Sequence, residues 1–502
     1  MFRFNRALPE DMGLSSNSIV NVLKTLQKKN VPMHSLLIMK KDSLVFEKYY
    51  APYIADTLHR MFSISKSFSA VAIALLAKEG KIHFDDPITD YFPEYTDETT
   101  HPWIKKTTIR NMLMMRTCHA SSTYKVDMTS DWVKSFFTTP PTHKPGTVFH
   151  YDTSGAHVLC ALVEKLSGKE MLTYMKDTLL HHVDFSENSY MIKDPFGISM
   201  GGSGLMATPM DIMKFLYILD RKGTIVCSDG KERSLLPKEF IEEATMNLSD
   251  NFVTGPVPSE MQGYGMQIWQ NEKGGFVLYG MGGQLGISIP SEDLLIVTTA
   301  DTQGMQGGNQ IIYDAIYSNL LGDQGHLDKA DHDRLMSYAD SLSLAPPTLP
   351  EGYSYTRASH DPASIPEFLR SFGSAGLDGH VRLSYDLSEN RQGFDSLILD
   401  LSETEPCTIS FRQKNTLHNI SFGLQSMCEG LFPIYNNAYT AGAMFSRENV
   451  LYIRVHLVGE CVGSVHFQLF FEKEEVTVFM RKIEETYFKE FDGHLYGRIG
   501  KA

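Results

Sequence analysis

The strongest hydrophobic pattern in this chain is a stretch with almost no period. From Phe68 to Ala77 the residues run Phe, Ser, Ala, Val, Ala, Ile, Ala, Leu, Leu and Ala, and Lys78 and Gly80 follow as C-terminal helix signals. A helix apolar nearly all round belongs inside a core. Elsewhere the periods are ordinary. Ile19, Val22, Leu23 and Leu26, with Ser15 or Ser16 as N-cap, predict an amphipathic surface helix within residues 10–30. Ser35–Met39 and Ser43–Tyr49 flank Lys40–Asp42 as the arms of a β-hairpin. Helices are expected over Thr107–Met115 and from about Ser154 to Leu166, the latter behind the turn Lys144-Pro-Gly-Thr147. Another starts at Thr208-Pro-Met-Asp211, a capping box with proline at the first helical position. Strand patterns return over Tyr264–Trp269, Gly275–Tyr279, Leu285–Ile289 and Leu294–Thr299, followed by a helix from about Gln310 to Leu321.

This order predicts an α+β unit in which the first hairpin and the last strands share one antiparallel sheet around a helical middle region. Ala345-Pro-Pro-Thr-Leu-Pro350 then reads as a stiff linker. Beyond it, alternating runs such as His380–Tyr385, Ser396–Asp400, Val450–Val455 and His466–Phe471 predict an all-β, barrel-like module. The expected domains are therefore 1–344 and 351–502, joined by 345–350.

Composition narrows the class. A chain of 502 residues, 42% hydrophobic and 21% charged, is long enough for two or more globular domains. Its formal net charge of −14 and its lack of a Lys/Arg cluster argue against a nucleic-acid partner. The N-terminal Met1–Pro9 has no apolar h-region, and no apolar run approaches the about 20 residues that span a bilayer. A cytoplasmic location without membrane attachment is the expectation. Six cysteines between Cys118 and Cys461 contain no Cys-x-x-Cys pair and read as free thiols.

Candidate chemistry sits where the apolar helix begins. Ser63 and Lys66 are three apart in Met61-Phe-Ser-Ile-Ser-Lys66 and share a helix face, so a partly desolvated amine can activate the hydroxyl. The same spacing recurs at Ser122/Lys125 and Ser228/Lys231, but the first lies in a polar stretch and the second beside the Asp229-Gly230 turn. Tyr151 stands at the junction into the Ser154 helix. Gly201-Gly-Ser-Gly204 lacks the Lys-Ser/Thr end of a phosphate-binding loop. His181, His182 and Asp184 fit no standard metal spacing and read as a solvated helix end.

With Ser63-Ile-Ser-Lys66, Tyr151-Asp-Thr153 and Met281-Gly-Gly283 in chain order, residues 10–322 resemble the penicillin-recognising serine hydrolases. The resemblance is to the class C β-lactamase-like branch, which includes D-aminopeptidases, esterases and 6-aminohexanoate-dimer hydrolases. Asp85-Asp-Pro87, Gly201–Gly204 and Pro290–Leu294 fall where that family has matching segments. The resemblance implies a β-lactamase-like fold, with Ser63 acylated, Lys66 its base partner and Tyr151 passing a proton to the leaving group. It implies an oxyanion hole from the backbone N–H groups of Ser63 and Gln284, and substrate contacts from Thr153, Met281, Gly282, Gly283 and, from a nearby loop, His119.

Two departures follow. Thr153 replaces the asparagine of the second motif, and Met281 replaces the lysine or histidine of the third. The missing cation turns the expectation from β-lactams and carboxylate-terminated peptides towards a small ester or modified peptide. The reaction implied is hydrolysis of an amide or ester through an acyl-enzyme, with no metal or organic cofactor. Its alternatives are acyl transfer to an alcohol or amine, and a retired hydrolase that senses a ligand. The partner is a small-molecule or short-peptide substrate. The β module is expected to shape the pocket or to hold a neighbouring subunit in a homo-oligomer.

Overall fold

The computed structural model describes residues 2–227, 229–322, 324–349, 361–372, 374–375, 380–404, 406–484 and 487–500. Two units emerge: Met1–Leu23 with Met33–Tyr49 and Tyr53–Asp340, and Lys24–Pro32 with Tyr50–Pro52 and Ser341–Ala502. Of the Pro-rich linker, Pro350 lies outside the described residues.

The first unit is built on a seven-stranded sheet. Its strands are β1 (Asn5–Arg6), β2 (Met33–Lys40), β3 (Ser43–Tyr49), β4 (Trp269–Gln270), β5 (Phe276–Gly280), β6 (Gln284–Ile289) and β7 (Leu294–Ala300), in the spatial order β1-β3-β2-β7-β6-β5-β4. The β2–β3 hairpin turns through Lys41 and Asp42, both at positive φ, which matches the twist of the two strands. The two ends of this region share one sheet, because β7 pairs antiparallel with β2 from Leu294↔Lys40 onwards.

The helices that matter for the site are α1 (Ser16–Lys28), α2 (Ile64–Lys78), α3 (Ile109–Leu113), α4 (Thr153–Ser167), α5 (Pro209–Asp220) and α6 (Gln310–Leu320). α1 begins at the predicted serine cap, and the residues from 10 onwards form a separate turn. A single 3₁₀ turn at Glu10–Met12 ends on left-handed Gly13, and Ser15 then caps the helix by accepting the Asn17 N–H. α2 is buried from Ile64 to Leu76, and Phe68 stacks on Phe215 of α5 with ring centroids 3.8 Å apart. The Thr108 and Thr208 capping boxes start α3 and α5.

The second unit is a nearly closed antiparallel barrel of β8 (Val381–Leu387), β9 (Ser396–Leu401), β10 (Cys407–Gln413), β11 (Thr416–Phe422), β12 (Cys428–Leu431), β13 (Ala438–Arg447), β14 (Val450–Val458), β15 (Gly463–Glu472), β16 (Glu475–Ile483) and β17 (Gly493–Ile499). They run in the order β11-β10-β9-β8-β17-β16-β15-β14-β13-β12, and a bridge from Gly423 to Gly442 ties the two edges. Alternate residues such as Leu399, Ile409, Ile453 and Phe467 fill the interior. Among the described residues no helix is long and apolar enough to cross a membrane.

Candidate active site

The site starts with how the chain enters α2. His59–Arg60 pairs with the short strand Leu205–Ala207, and Met61 N–H bonds the Leu205 carbonyl. Phe62 then adopts a left-handed φ of 44°, an uncommon setting for an aromatic residue, which turns the chain sharply and leaves Ser63 as N-cap of α2. Three further serines tie this helix to its surroundings. Ser65 Oγ donates to the Phe62 carbonyl, Ser67 Oγ to Gln267, and Ser69 Oγ to Gly201.

Lys66, one turn on, is buried, whereas Ser63 is half-buried. Its Nζ lies 2.9 Å from Ser63 Oγ and donates a second bond, 2.7 Å, to the Gly202 carbonyl. The Ser63 backbone N–H has no acceptor among the described residues, as expected of a donor aimed at an incoming oxygen.

Tyr151 is set by the start of α4. Asp152 caps that helix by accepting Ser154 N–H at 2.9 Å and also takes the Thr117 hydroxyl at 3.0 Å. Burial pushes the Asp152 carboxyl up, and these donors pull it back. The Tyr151 phenol is hydrogen-bonded to Ser63 and to the indole of Trp269. Burial raises its pKa well above the ordinary phenol range, and the two hydrogen bonds oppose that shift. Lys66 Nζ sits 4.8 Å from the centre of the Tyr151 ring.

The glycine turn between β5 and β6 supplies the third wall. Gly280 runs so close to Met61 that a Cβ there would stand 2.5 Å from its carbonyl oxygen. Gly282 and Gly283 both take positive φ, at 80° and 96°. The Gln284 side chain fixes the turn. Its Nε2 donates to the carbonyls of Met281 and Ala300, and its Oε1 accepts Ala300 N–H. Thr298 Oγ1 and Thr302 N–H hold the Gly283 and Gly282 carbonyls. Met281 is half-buried at the turn's first position.

Thr153 opens α4, and its methyl group fills the space a Gly202 side chain would need. Ser63, Lys66, Tyr151, Thr153 and the Gly202 backbone thus form one cluster. His119 has other partners: it is buried, packs edge-on against Phe136 and bonds the Phe136 carbonyl through Nε2. Ser122 accepts the Thr153 N–H, so the second Ser-x-x-Lys pair contributes a brace. Ser228 of the third lies outside the described residues. His181 bonds the Lys176 carbonyl, and among the described residues no His, Cys, Asp and Glu group could hold a metal.

Sequence reasoning missed Gly202 as the acceptor of Lys66, and the aromatic wall of Trp269, Tyr264 and Tyr279 beside Tyr151. The centroids of Tyr151 and Trp269 lie 5.3 Å apart, as do those of Trp269 and Tyr279. A tryptophan within the Tyr264–Trp269 strand pattern was the available signal, but its partner Tyr151 lies over a hundred residues away.

The sheet with its flanking helices, and the Ser63 helix entering beneath the β5–β6 turn, define the serine β-lactamase and penicillin-binding-protein class of fold. Residues 19–317 match the family model described as beta-lactamase, and the chain belongs to that family. Protein flp of Staphylococcus aureus strain COL is 24% identical over 200 residues, 36% of this chain; the chain spans 40% of that relative's length. An uncharacterised protein of Alkalihalophilus pseudofirmus is 22% identical over 335 residues, 59% of this chain and 92% of its own. Among solved structures, a candidate 6-aminohexanoate-dimer hydrolase from Bacillus anthracis superposes with a TM-score of 0.50 and 20% identity, over 63% of this chain and 86% of its own. The family is one of hydrolases.

Proposed function

We propose that this protein is a serine hydrolase that cleaves an amide or ester through an acyl-enzyme on Ser63, with a small ester or modified peptide favoured over a β-lactam. The observation that carries this is the contact of Lys66 Nζ with Ser63 Oγ at 2.9 Å, with the Tyr151 phenol on the same hydroxyl. Ser63 Oγ attacks the substrate carbonyl as its proton passes to Lys66 Nζ, the Tyr151 hydroxyl gives its proton to the leaving oxygen or nitrogen, and Lys66 returns a proton to the phenol oxygen. A phenol held protonated by burial suits this relay. The Lys66 ammonium stabilises charge on the serine and phenol oxygens, and the N–H groups of Ser63 and Gln284 receive the oxyanion. Water then attacks the acyl-enzyme by the reverse proton path.

Intact-mass spectrometry after incubation with a fluorophosphonate and, separately, a β-lactam tests the reading. The folded protein is expected to gain one fluorophosphonate adduct, and Ser63→Ala none. A folded wild-type protein that stays unmodified by both reagents overturns the proposal.

A further inference from the structure

At the third motif Met281 stands where the family resemblance implies a lysine or histidine, and what surrounds it has an electrostatic consequence. Tyr279 is the last residue of β5 with a side chain before the glycine turn, two positions ahead of Met281. Its hydroxyl donates to the Glu260 carboxylate and meets Asn309, and its ring lies against Trp269. Trp269 lies against Tyr151 and hydrogen-bonds its phenol. Glu260 is therefore joined through two rings to the residue that serves the leaving group, and its charge is felt at Tyr151. Glu260 is half-buried, and among the described residues no lysine or arginine pairs with it. Met281 adds no charge.

A partly desolvated carboxylate without a counter-ion disfavours an anionic ligand and favours a cationic one. Ring faces beside it add a quadrupole of the same preference. We infer that the leaving group of the substrate carries a positive charge, a substituted ammonium, held by the Glu260 carboxylate against the rings of Tyr279 and Trp269. This rests on the acyl-enzyme reading above and names its substrate class.

The test uses three acetyl esters: of choline, of 3,3-dimethylbutanol, which has the same shape without the charge, and of 3-hydroxypropanoate. All three leave the same acetyl group on Ser63, so differences in kcat/KM report the leaving-group side alone. The expected order is choline, then dimethylbutyl, then carboxylate, with about tenfold between the first two. Glu260→Gln is expected to bring the choline-to-dimethylbutyl ratio to about twofold or less. Met281→Lys is expected to raise the carboxylate ester relative to the choline ester, and it remains a test should Glu260→Gln fail to fold. If Ser63 is labelled by the fluorophosphonate but no ester turns over, the same order is read from protection of Ser63 by choline, 3,3-dimethylbutanol and 3-hydroxypropanoate. A wild-type ratio of one or below, or one unchanged in folded Glu260→Gln, overturns the ammonium inference while Ser63 labelling leaves the hydrolase reading standing. Absence of both labelling and turnover overturns that reading itself.

Discussion

In the proposed mechanism Lys66 and Tyr151 do different work at Ser63, and substrates with different leaving groups separate them. An alkoxide must be protonated as it departs, whereas 4-nitrophenolate leaves readily without a proton. Tyr151→Phe is therefore expected to lower kcat/KM for an alkyl acetate by about 10²–10⁴-fold and for 4-nitrophenyl acetate far less. Lys66→Met, which removes the amine beside the nucleophile, is expected to lower both alike. Equal losses in Tyr151→Phe would show that the phenol does not serve the leaving group. Position 153 is read differently: Thr153 braces the loop around Gly202, and that role needs only a small side chain with a methyl group.

Among the elements, α2 is the one its neighbours are fitted to. Gly201 passes between α2 and α4 so closely that a Cβ would stand 2.7 Å from Ser69 Oγ of α2 and 2.2 Å from the Cys160 Cβ of α4, and one on Gly202 would stand 3.7 Å from Lys66 Nζ of α2 and 2.4 Å from the Thr153 methyl of α4. Gly202→Ala must push this loop away from Lys66. It is expected to destabilise the fold by about 1–3 kcal/mol, read from urea unfolding, and to reduce esterase activity with the lost acceptor. An alanine variant with wild-type activity would show that the Gly202 carbonyl is dispensable. The helix itself was legible, because its residues are contiguous and apolar on every side. So were the hairpin, the Thr208 capping box and the strands over Gly275–Tyr279, Leu285–Ile289 and Leu294–Thr299, whereas of Tyr264–Trp269 only Trp269 is in a strand, Trp269–Gln270. The start of α1 was legible in its serine cap, but the separate 3₁₀ turn at Glu10–Met12 was not, since the break at Gly13 depends on a left-handed residue inside an otherwise helical pattern. The Gly201–Gly204 segment showed in sequence as glycine-rich and as one of the segments the family resemblance matches, but not as the acceptor of Lys66, because that contact is made by a carbonyl, and carbonyls carry no residue identity. Trp269 and Glu260 were hidden for another reason: their meaning comes from partners brought in by the fold.

Across the whole molecule, each of the two units holds a histidine that desolvation keeps neutral, His59 buried and His466 half-buried between the core residues Val465 and Phe467. His59, beside the His34 ring at 2.8 Å, is pushed down to about 4 by desolvation. In the barrel, desolvation and then the Arg454 and Arg481 charges push His466 down to about 3. In the unfolded chain both titrate at the ordinary value of about 6.5. Below that value the unfolded chain takes up protons that the folded chain refuses, so stability falls as pH drops from about 6.5 towards 4 and 3 respectively. Asp152 and Asp220, pushed up by burial, act in the opposite sense and offset part of the loss. Comparison of urea midpoints at pH 7.5 and 5 is expected to show a drop in the wild type and a smaller drop in His59→Gln. A midpoint that holds or rises on acidification would show that these imidazoles are not the acid-sensitive groups.

The β5–β6 turn is held by the Gln284 side chain, by Thr298 and by Thr302, and none of these bonds uses the side chain at 281. Residue 281 is therefore free to drift while the frame around the nucleophile stays put. A lineage built on this turn can exchange the sign of the charge it presents by changing one codon, and ancestors and descendants can share a catalytic frame while living on chemically opposite diets.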